Sequence, residues 1–196
     1  MKKSIITVMV LVLLLSIATV AMAQEEHNWN ASLVMGASLS GGDGMGGIGA
    51  EILYEFNDNL EVGFHAYAQA EVSKEYVDTV GRAYHMSSGY GTLVIKPKFS
   101  IGEMWEIGFP LETGNGLIQY RYNGEYREEL RWTDEIIDQV NHSVYSAGIE
   151  PKFFLGEKAA LTVAAGYRVT GPLRTDLAEE GELNGFWGRF GFSVGF

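Results

Sequence analysis

The chain ends Asn184-Gly185-Phe186-Trp187-Gly188-Arg189-Phe190-Gly191-Phe192-Ser193-Val194-Gly195-Phe196. Taken two at a time, Phe186, Gly188, Phe190, Phe192, Val194 and Phe196 fall on one side. Gly185, Trp187, Arg189, Gly191, Ser193 and Gly195 fall on the other. Period two is the side-chain period of a β-strand. One face is apolar along almost its whole length; the other is small or polar and carries an arginine. As an exposed edge in a soluble sandwich such a strand would template aggregation. Set against lipid, it is solvated.

Working back from that strand, the same alternation recurs seven more times. Over 28–40, Trp29, Ala31, Leu33, Met35, Ala37 and Leu39 share a face. Over 46–56, Ile48, Ala50, Ile52, Tyr54 and Phe56 oppose Gly49, Glu51 and Glu55. The clearest run is 60–72, where Leu60, Val62, Phe64, Ala66, Ala68 and Ala70 alternate with Glu61, Gly63, His65, Tyr67, Gln69 and Glu71. Over 84–99, turning Lys96 and Lys98 inward sets Leu93, Ile95, Pro97 and Phe99 outward. From Met104, Trp105, Ile107, Phe109 and Leu111 face out, with Glu106, Gly108 and Glu112 in, until Gly114-Asn115-Gly116 reads as a bulge. Runs over 142–155 and 159–169 complete the set, the second with Thr162, Gly166 and Arg168 inward. Each run meets the roughly 9–11 residues that a tilted membrane strand requires.

The connections alternate in length. Asn57–Asn59, Ser100–Glu103 and Gly156–Lys158 are short, whereas about 73–83, 113–140 and 170–183 are long. Outer-membrane barrels have short periplasmic turns and long external loops, so both termini are expected on the periplasmic side. Ile95-Lys96-Pro97-Lys98-Phe99 is echoed by Ile149-Glu150-Pro151-Lys152-Phe153, each copy leading into a short turn. Proline cannot donate to a ladder, so Pro97 and Pro151 are expected at strand ends or bulges.

At the other terminus, Lys2 and Lys3, an apolar Ile5–Val20 and Ala21-Met22-Ala23 have the layout of a secretory signal peptide. The expected organisation is therefore 1–23 signal peptide and 24–196 barrel domain. The net charge of −11 argues against a nucleic-acid partner. The absence of cysteine excludes disulfides, thiolate metal sites and a lipoprotein anchor.

The terminal Phe196 and the apolar alternation before it resemble the carboxy-terminal insertion signal of bacterial outer-membrane barrels. With the signal peptide and eight strands, the chain resembles the small eight-stranded barrels of OmpA/OmpX-type size. More loosely, the Pro-Lys-Phe turns, Gly166-Tyr167-Arg168 and Gly185-Phe186 make about 89–196 similar to an uncharacterised Bacteroidota outer-membrane β-barrel family. The resemblance implies an all-β fold, an eight-stranded antiparallel up-and-down transmembrane barrel in the bacterial outer membrane. It also implies Phe190, Phe192, Val194 and Phe196 as an insertion signal for the barrel-assembly machinery, with outer-membrane lipid and lipopolysaccharide as neighbours.

The phases place Glu51, Glu55, Glu61, Glu71, Glu106, Glu112 and Glu150 inward with Lys96, Lys98, Lys152, Arg168 and Arg189. An eight-stranded barrel is just wide enough for side chains to fill it. Buried carboxylates there need partners. The first expectation is a closed interior of Glu–Lys and Glu–Arg pairs. The alternative is a narrow cation-preferring channel, or a barrel that transports small molecules or lipid.

No paired-histidine zinc motif, G-x-S-x-G elbow or phosphate loop is present, so no metal, cofactor or enzymatic activity is expected. His85-Met86-Ser87 resembles the His-x-Ser pair of lipid A deacylases, but the family's following Asn is Ser88 here. The 113–140 connection, with a short helix expected at 133–140, interleaves Tyr122, Tyr126 and Trp132 with Arg127 and Arg131. Those residues are the candidates for an extracellular ligand or partner, since exposed loops on a rigid scaffold carry binding.

Overall fold

The computed structural model describes residues 28–40, 43–71, 76–77, 81–122, 136–173 and 183–195. The expected signal peptide 1–23, Phe196, Tyr126, Arg127, Arg131 and Trp132 lie outside these residues. Ten stretches form the fold: β1 Trp29–Ser40, β2 Asp43–Asn57, β3 Leu60–Glu71, β4 Tyr76–Val77, β5 Ala83–Ile101, β6 Trp105–Gly108, β7 Leu111–Tyr122, β8 Ile136–Phe154, β9 Ala159–Thr170 and β10 Gly185–Gly195. All pairings are antiparallel, and β1 pairs with both β2 and β10, which closes the sheet.

Eight staves make the barrel. β4 is a two-residue appendage on β5, paired at Tyr84 and Ala83. β6 and β7 are one stave interrupted at Phe109-Pro110, where proline lacks the N–H that a ladder needs. Gly148 N–H still donates to Pro110 O, at 3.0 Å. Pairing of β6 and β7 with β5 keeps one register across the gap.

Following partners once around the ring gives Trp29, Tyr54, Val62, Ile95, Leu111, Ala147, Tyr167 and Phe186. The path returns to β1 at Leu39, ten residues beyond Trp29. That offset is the stagger, and it tilts the strands as a closed barrel demands.

Three expectations are corrected. Gly114-Asn115-Gly116 is no bulge: it lies inside β7 in regular register with β5 and β8. Pro97 and Pro151 sit within β5 and β8, and the register shifts lie instead at Glu55/Asn57 and Tyr120/Arg121. The long connection is much shorter than 113–140. β7 continues to Tyr122 and β8 begins at Ile136, so residues 136–140 are strand, not helix.

The outward face follows the alternation read from sequence. Leu33, Met35, Ile48, Phe64, Leu93, Ile95, Leu111, Ile149, Val163, Phe186, Phe190, Phe192 and Val194 are all exposed. So continuous an apolar belt is far larger than a water-soluble monomer presents. On a closed barrel it is the surface that meets hydrocarbon. Aromatic pairs border it: Trp29–Tyr54 at 5.1 Å and Trp105–Phe153 at 4.8 Å near the short turns, Tyr167–Phe186 at 5.1 Å toward the long loops.

The staves differ in length. β1, β3 and β9 have 12 residues and β10 has 11, whereas β5 and β8 have 19 each. Only about 9–11 residues are needed to cross the membrane. The surplus of β5, β7 and β8 therefore rises beyond the belt at the loop end as a three-stranded wall.

Candidate functional site

The lumen is built from inward positions of every stave. At the turn end it is a network of charges. Lys96 Nζ lies 2.9 Å from Glu51, 2.7 Å from Glu150 and 3.6 Å from Glu61. Lys98 Nζ reaches Glu61 at 3.2 Å, Glu106 at 3.0 Å and Glu55 at 3.3 Å. Lys152 Nζ contacts Glu61 at 3.1 Å and Glu106 at 3.2 Å. Asn30 Nδ2 donates to the same Glu61 carboxylate at 3.1 Å.

Glu61 is thus a hub. From β3 it takes contacts from β1, β5 and β8, joining walls that do not pair with one another, and its side chain is fully buried. Glu55 stands at the rim and is only partly buried. The other members are almost wholly withdrawn from solvent. Charges removed from water persist only with close, hydrogen-bonded partners, and each here has them.

One layer further in, Arg189 Nη2 donates to Glu112 at 2.7 Å, while Nη1 lies 2.8 Å from His65 Nδ1. Arg189 also stacks over Trp187, 4.1 Å from the ring centroid. Arg168, grouped by sequence with the charge network, makes contacts in a different layer. It contacts Gln69 Oε1 at 3.4 Å, Ser38 Oγ at 3.3 Å and Leu183 O at 3.4 Å, and lies over the Tyr90 ring. The network's carboxylates sit lower in the lumen, so Arg168 belongs to a polar middle layer of Tyr67, Gln69, Tyr90 and Trp187.

The interior fits because large side chains lie over glycines on neighbouring staves. The Trp187 indole covers Gly148 and Gly166, and a Cβ at either would collide with it. Tyr67 covers Gly47 and Gly49 in the same way.

At the loop end the character reverses. Met45, Tyr84, Met86, Ile118, Tyr120, Tyr122, Leu173 and Leu183 form a buried apolar cluster, with Ile137 against it. Tyr122 was expected in an exposed loop. It is instead a buried wall of this cap, with the Arg82 guanidinium 4.4 Å from its ring centroid. Sequence reasoning missed this cluster. The signal was Tyr84-x-Met86 and Ile118-x-Tyr120-x-Tyr122, a period-two pattern with its apolar side turned inward.

Outside the cap the wall is polar. Gln119 Nε2 donates to Gln139 Oε1 at 2.8 Å, Arg121 Nη2 donates to Gln119 Oε1 at 2.7 Å, and Asn115 and Asn141 are exposed. His85 and Ser87 are on this outward face, the face that carries Leu93 lower on β5. Ser87 Oγ donates to Gln119 O at 3.4 Å. Phe190, Phe192 and Val194 of the proposed insertion signal project outward from β10.

Comparisons place this architecture among known folds. No family model and no curated protein matches the sequence. Among solved structures, Neisserial surface protein A matches over 86% of this chain and 96% of its own, with 12% identity and a TM-score of 0.54. Ail, the attachment invasion locus protein of Yersinia pestis, solved with the heparin analogue sucrose octasulfate, matches over 86% of this chain and 96% of its own. Its identity is 13% and its TM-score 0.50. The fold is that of the small outer-membrane β-barrels.

Proposed function

We propose that the chain is an integral outer-membrane barrel that does not conduct and that works as a binding scaffold through its outer wall. One observation carries this reading. Where β5 and β7 leave the apolar belt, Tyr84, Met86, Ile118, Tyr120 and Tyr122 turn inward while the polar His85, Ser87, Asn115, Gln119 and Arg121 turn outward. A stretch of barrel wall built to stand folded in water, above a lumen locked by ion pairs, is a platform rather than a pore. The segment 123–135 joins β7 to β8, and its Tyr126, Arg127, Arg131 and Trp132 supply the aromatic and guanidinium contacts that interfaces favour.

The same reading takes residues 1–23 as a removed signal peptide and Phe196 as the last residue of the signal read by the assembly machinery. It retains the looser kinship with the Bacteroidota barrel family. It also leaves the chain without enzymatic activity: His85 and Ser87 face outward on the wall, and Ser87→Ala should leave lipid A mass unchanged.

Planar-bilayer recording of the purified barrel tests the proposal. Silence at the membrane supports a closed scaffold. Large, stable, cation-selective steps that change with Glu51→Gln or Glu106→Gln would replace it with the channel alternative.

A further inference from the structure

The middle layer of the lumen holds a group of polar atoms that the protein does not serve. Ser88 Oγ, His142 Nδ1, Ser146 Oγ and Trp187 Nε1 are buried, and none has a hydrogen-bond partner. Ser88, His142 and Trp187 are only 5%, 5% and 7% exposed. They are not scattered at random along the barrel. On β5, Ser88 lies between Lys96 of the ion network and Met86 of the cap. On β8, Ser146 and His142 lie between Glu150 of the network and Ile137 beside the cap. Trp187 lies between Arg189, which is paired with Glu112, and Leu183 of the cap. All four therefore lie between the ion network and the cap, Ser88 and His142 toward the cap, Ser146 and Trp187 toward the network.

The tiers on either side differ. Below, each cation has carboxylates at hydrogen-bonding distance, and Glu61 Oε2, which lacks a hydrogen bond, still lies 3.6 Å from Lys96 Nζ. Above, the cluster is chiefly hydrocarbon and aromatic ring. The tier between is lined by hydrogen-bonding groups: Gln69, Tyr67, Tyr90 and Arg168 accompany the four orphans. Buried donors and acceptors are nearly always satisfied, by ordered water where protein does not reach. The chemistry of the set fits water closely. An indole N–H can only donate, a serine hydroxyl does both, and an imidazole nitrogen does either. A single kind of molecule that donates and accepts answers all of them.

We propose that the middle of the lumen is a closed hydrated compartment, in which ordered water bridges Ser88, His142, Ser146 and Trp187. The ion-pair floor seals it from the periplasm and the apolar cap seals it from outside. The occupants are water, trapped between that floor and that cap as the barrel closes. This compartment stands independently of the binding role proposed for the outer wall.

Solution NMR of the folded barrel in deuterated micelles reads the compartment directly. The indole N–H of Trp187, assigned by its loss in Trp187→Phe, should show a dipolar cross-peak to long-lived water. The methyl groups of Ile118 in the cap should show none. A Trp187 indole without a water cross-peak overturns the proposal. A second measurement has a sign that separates the two cases. If the hydroxyls are dry, removing them relieves a desolvation cost, and Ser88→Ala with Ser146→Ala raises the urea midpoint. If they bind water, the double substitution should lower the midpoint and shift the unfolding equilibrium several-fold toward the unfolded state. An unchanged or raised midpoint counts against the compartment. Should the double variant fail to fold, the Trp187 cross-peak of the unmodified protein decides.

Discussion

The two ends of the lumen are held together by opposite means. At the turn end, ammonium and carboxylate groups meet across the barrel, with Lys96 between Glu51 and Glu150 and Glu61 between Lys98 and Lys152. At the loop end, Met86, Ile118, Tyr120 and Leu183 meet as the core of a soluble protein would. The difference follows from what lies outside each end. Below, the outward face is spent on lipid, so polar side chains are confined to the interior and have to satisfy one another. Above, the wall stands in water, and burial of apolar surface can again hold it together. β5 and β7 keep their parity throughout while the chemistry of each face exchanges.

The largest expected effect comes from breaking the charged end at its hub. Glu61→Ala leaves Lys98 and Lys152 each short of a buried partner, and removing one member of such a set costs about 3–5 kcal/mol. Urea unfolding in lipid vesicles should show the loss, and heat-modifiable gel mobility should show less folded protein. Glu55→Ala at the partly buried rim should cost far less. If both changes cost the same, the hub assignment is wrong.

Next comes the apolar end. Tyr120 is completely buried, and truncating a core aromatic to alanine costs about 3–5 kcal/mol where the structure relaxes as one unit. Here the loss should be local, because the wall stands clear of the membrane-embedded staves. Tyr120→Ala is expected to open the β7–β8 hairpin to protease added outside while heat-modifiable mobility stays normal. Global loss of folded barrel from this change would show that the cap and the charged floor are not separate in stability.

That exchange of faces also marks where sequence reading succeeds and where it stops. Over the belt, one parity is apolar and the other polar, as with Val62, Phe64 and Ala66 against Glu61, His65 and Tyr67, so the eight staves and their inward charges were legible. The phase of β5 rested on Lys96 and Lys98 alone. Higher on the same strand Tyr84 and Met86 are inward, so an apolar residue there argues for the opposite phase. Beyond Gly114-Asn115-Gly116 the alternation of β7 inverts, and a pattern matched to lipid reads the inverted stretch as loop. Hence such a pattern finds no strands in 113–140 and reads Tyr122 as a surface residue. Pairings such as Glu61 with Lys152, 91 residues apart, were beyond reach, since alternation gives a face but not a partner.

The smallest effects test the boundary itself, on one face of one strand. Leu93 and Ser87 are both outward on β5, six residues apart, so the same substitution at each differs only in depth. Leu93 lies in the apolar belt and is exposed there, and an arginine on the lipid face near mid-membrane costs about 2–4 kcal/mol. Leu93→Arg should therefore lower the denaturant midpoint in vesicles and reduce the folded fraction. Ser87 lies on the wall beside Gln119, with a weak 3.4 Å hydrogen bond to lose. Ser87→Arg meets water, and a surface change of that kind stays within about 0.5 kcal/mol. The comparison needs only the ratio of the two effects, measured in the same vesicles. Comparable losses at both positions would put Ser87 inside hydrocarbon, and the outer wall would then be membrane surface rather than the proposed binding platform.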